Sequence, residues 1–155
     1  MRIGIGFDVH RLVAGRKLMI GTVHIPYGKG ALGHSDADVL THAICDAMLG
    51  AAALGDIGLH FPDTDDMYKN ISGEKLLKLT LQKVNAKGFS INNIDSVIIL
   101  ETPKIAAFIP AMRANIAKIL ELSPDVVSVK ATSTEGLGFT GDGKGIAAKA
   151  VVSIM

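Results

Sequence analysis

The sequence has a single cysteine, no tryptophan and no surplus of either charge: 16 Lys and Arg face 15 Asp and Glu, a formal net charge of +1 over 155 residues. Cys45 has no partner for an internal disulfide, which fits a reducing, cytosol-like compartment, and its apolar surroundings read as core rather than as a reactive thiol. No Lys/Arg run supplies the positive footprint that nucleic-acid binding needs. No apolar stretch reaches the roughly 18 to 20 residues that would span a membrane. A basic segment followed by an apolar stretch and a cleavage site is also lacking, so neither a secretory signal nor a membrane partner is expected. Repeats, low-complexity tracts and long linkers are absent too. What is present is an ordinary globular balance, 48% hydrophobic and 20% charged. One domain over residues 1–155 is expected, long enough to bury roughly 70% of the surface it would expose unfolded.

Runs rich in β-branched residues with partial alternation predict strands at Arg2 to Val9, Lys17 to Ile25, Asp95 to Glu101, Val126 to Ser133 and Ile146 to Ile154. Helical spacing predicts a helix over Asp38 to Leu54, with Asp36 or Ser35 as cap, and another over Glu74 to Ala86, ended by Gly88. A third, over Pro110 to Leu122, opens with proline and stops at Ser123-Pro124. The order β-β-α-α-β-α-β-β predicts an α/β chain of the α+β sandwich kind, a mixed four- to five-stranded sheet with helices packed on one face. The first helix, "AICDAMLGAAALG", is apolar around most of its circumference, which predicts burial on several sides, in a deep core or in an oligomer.

"FDVH", residues 7 to 10, places Asp8 and His10 two apart in a strand-like run, so both side chains share one face roughly 7 Å apart. The helix from Asp38 offers His42 as a third group. One carboxylate and two imidazoles form a common Zn²⁺ set that leaves a fourth position open for substrate, and the same trio suits non-haem Fe(II). Asp38 and Asp46 each lie one helical turn from His42, so either is placed to hold its second ring N–H. Spacing alone leaves a satisfied core histidine as the competing reading.

Three loops add polar groups. "GHSDAD", residues 33 to 38, reads as a helix cap whose free N–H groups favour an anion, with His34 and Ser35 beside it. "GDIGLHFPDTDD", residues 55 to 66, is more ornate than a usual helix connection and reads as solvated turns or as a ligand-enclosing loop. "KATSTEGLGFTGDGKG", residues 130 to 145, matches neither the P-loop nor the dinucleotide fingerprint. It reads as a plain connection or as a loop whose amides approach phosphates, with Glu135 available to Mg²⁺. Together these point to a metal-assisted site for a multiply phosphorylated small molecule.

"IGIGFDVHR", "GHSDADVLTHAICDAMLGAAALGDIGLHFPDTD", "ETPKI" and "VKATSTEGLGFTGDGKGIAAKAV" resemble the 2-C-methyl-D-erythritol 2,4-cyclodiphosphate synthase family, in its order and spacing, over essentially the whole chain. The resemblance implies a homotrimer of α/β subunits with active sites between neighbours, and the short N-terminus favours a bacterial cytoplasm over a processed plastid protein. It implies a phosphorus–oxygen lyase of the non-mevalonate isoprenoid route. Its substrate would be the cytidine diphosphate-linked 4-diphosphocytidyl-2-C-methyl-D-erythritol 2-phosphate, its products the cyclic diphosphate and CMP. It further implies one Zn²⁺ per subunit on Asp8, His10 and His42, and Mg²⁺ or Mn²⁺ on Glu135 with the substrate diphosphate.

By the same resemblance, Asp8, Val9 and His10 meet substrate at the metal, and His34 and Ser35 belong to a mobile loop over the diphosphate. Asp56, Ile57 and Gly58 match ribose contacts, while Phe61, Pro62, Asp63, Thr64 and Asp65 line the methylerythritol end. Leu100, Glu101, Thr102, Pro103, Lys104, Ile105 and Ala106 match the cytosine pocket. Thr132, Ser133, Thr134 and Glu135 stand beside the phosphates, with Phe139 a further contact. His34 and Ser133 are the implied catalytic residues. A phosphate monoester with a second pKa near ~6 is mostly ionised at neutral pH, so the substrate's own 2-phosphate can attack without a general base. The rivals are a zinc-dependent phosphohydrolase, which would give linear products, and a non-catalytic cytidine-nucleotide-binding protein.

Two positions depart from the family pattern. Ser133 stands where threonine is frequent, and keeps the hydroxyl. Asp142 and Lys144 reverse a frequent arginine and glutamate pair beside a cavity on the threefold axis, which can hold an isoprenoid diphosphate; the aspartate is expected to repel such a ligand unless Lys144 reaches the same space.

Overall fold

The computed structural model describes residues 1–155. Its strands are β1 (Arg2–Ala14), β2 (Leu18–Ile20), β3 (Val23–Ile25), β4 (Lys29–Ala31), β5 (Ile91–Ile99), β6 (Val127–Thr132) and β7 (Gly145–Ile154). The helices are α1 (Val39–Ala51), α2 (Ile57–His60), α3 (Gly73–Ala86), α4 (Ile109–Ile119) and α5 (Gly138–Gly141), with short 3₁₀ turns at Asp66–Tyr68, Ala106–Phe108 and Pro124–Val126. Five strands form one mixed sheet in the order β4-β1-β7-β5-β6, in which only β5 and β6 run parallel, joined through α4. Helices α1, α3 and α4 cover one face of that sheet: α1 lies on β1 and β7, α3 packs on α1, and α4 meets β6. The expected α+β sandwich is therefore the observed one.

The alternation in β1 resolves in an unusual sense. Gly4, Gly6, Asp8, His10 and Leu12 face α1, whereas Ile3, Ile5, Phe7 and Val9 point to the uncovered face and are 45 to 70% exposed. The glycines let α1 settle directly on the strand backbone. Packed between sheet and α3, α1 is buried around its circumference, with Val39, Leu40, Ile44, Cys45, Ala47 and Met48 at 0% exposure. The apolar composition of α1 thus reflects a core position within one chain. The apolar surface left over belongs to the sheet.

Three local expectations change. The single strand expected over Lys17 to Ile25 is two, because Gly21 and Thr22 both take positive φ and reverse the chain as a two-residue hairpin. The fully buried Asp38 carboxylate accepts from both turn amides, Gly21 N at 2.8 Å and Thr22 N at 2.6 Å. The same carboxylate caps α1 by accepting from Thr41 N, so Asp38, and not Asp36 or Ser35, is the cap. Burial pushes its carboxyl above the ordinary aspartate range, against those three donors. β5 begins at Ile91 rather than Asp95, and β1 continues past Val9 to Ala14.

Candidate active site

β1 carries Asp8 and His10 on its α1 face, and α1 brings His42 down onto them one turn after its cap. Asp8 Oδ2 lies 2.8 Å from His10 Nε2 and 2.9 Å from His42 Nδ1, and the two ring nitrogens are 3.2 Å apart. Metal–ligand bonds of about 2.0–2.1 Å at tetrahedral angles would space these atoms roughly 3.3 Å apart, so the trio needs to open by only tenths of an ångström to hold an ion.

The outer contacts orient each ligand. Asp8 Oδ1 accepts from Val9 N at 2.9 Å, which turns Oδ2 to the centre. His10 Nδ1 donates to Leu32 O at 2.9 Å, leaving Nε2 as the inward nitrogen. His42 Nε2 lies 3.1 Å from Ser35 Oγ, which itself accepts from Ala37 N. Neither Asp38 nor Asp46 therefore holds the second nitrogen of His42, contrary to what helical spacing predicts. Asp38 is taken by the β2–β3 turn, and Asp46 accepts from Ile57 N at 3.2 Å, tying α2 to α1.

Burial pushes the Asp8 carboxyl upward, but hydrogen bonds from the two imidazoles more than offset this and hold it well below the usual carboxylate range. Burial also works against a charged His10, yet Asp8 and the Leu32 carbonyl raise that imidazole above its ordinary value. Asp8 and His10 thus favour positive charge between them, the charge a divalent cation would supply there.

A cavity of about 450 Å³ opens beside this trio, against His10 and His42 but not Asp8. His10, His42, His34 and Ser35 form its metal end. Ile57, Gly58, Phe61, Pro62 and Asp63 from the expected enclosing loop form its far wall. His34 Nε2 is buried there with no hydrogen-bond partner, a polar atom available to a ligand. Asp56, Thr64 and Asp65 do not line the cavity; Asp56 instead caps α2 through Leu59 N, and Asp65 accepts from Met67 N. Tyr68, Ile71 and Leu76 also line it and were not expected. Tyr68 stacks edge-on against Phe61, 5.4 Å between centroids, and no motif announces it.

The remaining expected residues form a second group. Leu100 N donates to Thr132 O at 3.0 Å, and Glu101 Oε2 accepts from Thr134 N at 3.3 Å and Gly136 N at 3.5 Å. Leu100 and Glu101 are thus tied to the 132–136 loop, in which Ser133 Oγ donates to Glu135 Oε1 at 3.0 Å. The amides expected to approach phosphates are engaged within the chain, since Glu135 N also donates to Ser133 Oγ. None of these residues lines the cavity of the metal trio. Val9 and Phe139 line a second cavity of about 550 Å³ with Arg11, Lys29 and Lys144, and His10 lines both cavities.

A model of the YgbB family matches residues 1–155. A 2-C-methyl-D-erythritol 2,4-cyclodiphosphate synthase of Alkaliphilus oremlandii is 62% identical over 155 residues, covering 100% of this chain and 99% of that protein. One from Desulforamulus reducens is 58% identical over 154 residues, covering 99% and 98%. Among solved structures, a CDP-bound 2C-methyl-D-erythritol-2,4-cyclodiphosphate synthase superposes with a TM-score of 0.92 at 36% identity, over 99% of this chain and 100% of that one. The bifunctional IspDF from Campylobacter jejuni superposes with a TM-score of 0.95 at 44% identity over 99% of this chain, which spans 42% of that longer protein.

Proposed function

This chain belongs to the YgbB family, and on that premise we propose how its residues serve the reaction for which its relatives are named, formation of 2-C-methyl-D-erythritol 2,4-cyclodiphosphate. It is a lyase of the non-mevalonate isoprenoid route acting on a cytidine-linked substrate, 4-diphosphocytidyl-2-C-methyl-D-erythritol 2-phosphate, with CMP released. The convergence of Asp8, His10 and His42, with both imidazoles at the wall of the cavity, carries this reading.

Asp8, His10 and His42 would hold Zn²⁺, and Glu135 a second ion, Mg²⁺ or Mn²⁺. When bound, these ions supply charge relief at the diphosphate. The chain's own groups orient and enclose the substrate. The unpartnered His34 Nε2 supports a hydrogen bond from His34 to the diphosphate, and Ser35 steadies His42 beside it. Phe61 and Pro62 enclose the methylerythritol end and exclude water. Ser133 donates to Glu135 and so aims its carboxylate toward the phosphates. No general base is required, because the attacking 2-phosphate is already ionised. The gain comes from holding its oxygen against the phosphorus next to the erythritol, on the order of 7 to 11 kcal/mol at the favourable limit.

The working form is a homotrimer with active sites between neighbours. Two observations support it: the apolar face formed by Ile3, Ile5, Phe7 and Val9 lies uncovered, and the nucleotide-side group around Glu101 and Glu135 stands outside the cavity of the metal trio. A neighbour's nucleotide-side group then completes the site. The reduced, buried Cys45 fits a cytoplasmic setting.

Phosphorus NMR of the protein with the cytidyl substrate and Mg²⁺, with and without a zinc chelator, tests the proposal. CMP with a cyclic diphosphate, lost on chelation, is the expected result. A linear product would make the chain a hydrolase, and no turnover in zinc-loaded protein would make it a binder.

A further inference from the structure

Arg16, in the turn between β1 and β2, belongs to neither group of site residues, and no sequence motif points to it. Its guanidinium Nη2 donates to Gly33 O and to Ser35 O, each at 3.3 Å, gripping the chain on both sides of His34. The opposite edge of the same loop is tied by backbone bonds, Asn70 N to His34 O at 2.9 Å and Asp36 N to Ile71 O at 3.1 Å. Arg16 is half-buried and pairs with no carboxylate; its side-chain hydrogen bonds go to these two carbonyls. The residue it grips, Ser35, is the one whose Oγ meets His42 Nε2 at 3.1 Å.

We propose that Arg16 is a positioning residue for the metal centre: by fixing the Gly33–Ser35 backbone it aims Ser35 Oγ at His42 Nε2 and so keeps His42 Nδ1 facing the ion. Arg16 touches neither metal nor substrate. It acts through a chain of contacts, Arg16 to the Ser35 carbonyl, Ser35 Oγ to His42, His42 to the metal, and the last two links are of the kind whose loss weakens metal affinity. This inference rests on the metal reading given above.

The test is a double-mutant cycle read as zinc affinity, by competition with a chromophoric chelator, on wild type, Arg16→Ala, Ser35→Ala and the double variant, with folding checked by circular dichroism. Arg16→Ala should weaken zinc binding about tenfold, the lower end of the range for outer contacts. In the Ser35→Ala background it should cause no further loss, because the contact through which it acts is already gone. Arg16→Lys, whose ammonium can reach the same carbonyls, should recover most of the affinity. Arg16→Met keeps the apolar stem and carries the same expectation as Arg16→Ala where the alanine variant does not fold. Wild-type affinity in a folded Arg16 variant, or losses that simply add, would overturn the positioning role while leaving the metal centre intact. Absence of zinc binding in the wild type would remove the metal reading and this role together.

Discussion

Gly6 of β1 packs against the backbone of Ala43 of α1, so closely that a Cβ on the glycine would fall 1.9 Å from the Ala43 carbonyl oxygen. Gly4 stands in the same relation to Ala47, at 2.0 Å. Strand and helix therefore touch main chain to main chain, and this approach sets His42 onto Asp8. Gly6→Ala must push α1 off the sheet. The expected outcome is a loss of about 3 kcal/mol in stability or more, with zinc binding lost even where the fold survives. Thermal melts and zinc per chain check it; a stable, zinc-replete variant would show that the close approach is dispensable.

His42→Ala removes one imidazole from the trio but leaves the core, since the His42 ring lies at the cavity wall. Turnover and bound zinc should both vanish while the melting curve and oligomer stay close to wild type. Metal analysis beside size-exclusion chromatography measures this, and full activity in the variant would refute the ligand assignment.

Cys45 is fully buried in α1, and burial pushes its thiol up to about 12. A thiol reagent should leave the native protein unlabelled at pH 8 and label one site per chain in denaturant. Rapid labelling of folded protein would mean that α1 opens locally.

Phe7 and Ile5, 52% and 70% exposed, sit on the sheet face opposite the metal trio. If the proposed trimer forms through this face, Phe7→Asp or Ile5→Asp should convert it to monomers by light scattering and abolish turnover, yet retain zinc. Zinc retained with turnover lost is the signature of a site completed by a neighbour. A trimer that persists in both variants would place the interface elsewhere.

Lys144 Nζ donates to Asp142 Oδ2 at 2.7 Å, and Lys144 itself lines the cavity of Val9 and Phe139 beside Arg11 and Lys29. The paired aspartate therefore does not repel an anion there, and calorimetry should detect binding of geranyl diphosphate that weakens with salt and on Lys144→Ala. Absence of binding at low salt would restore the repulsion expected from Asp142.

Much of this protein was legible as sequence. The helices over α1, α3 and α4, the mixed sheet with helices on one face, and the shared face of Asp8 and His10 follow from residue type and spacing, because period is a local property, whereas spacing alone left His42 open and the family resemblance supplied it as the third ligand. The split of the Lys17 to Ile25 run was not legible. Its Gly21-Thr22 turn is held by Asp38, a residue far along the chain. The partner of His42 was missed for the same reason: helical spacing nominated Asp38 and Asp46, but the β2–β3 turn and α2 claimed those carboxylates and left Ser35.

The division runs through β1 itself. Sequence alone determined that Ile3, Ile5, Phe7 and Val9 share one face and Gly4, Gly6, Asp8 and His10 the other, since a strand alternates with period two. Only the tertiary structure decided which face is covered. The usual preference would bury the large apolar side chains, but α1 can approach only the glycine face, and that approach is what assembles the metal site. The apolar face is left for another surface to cover, because burial depends on what packs against a strand and not on the strand's own residues.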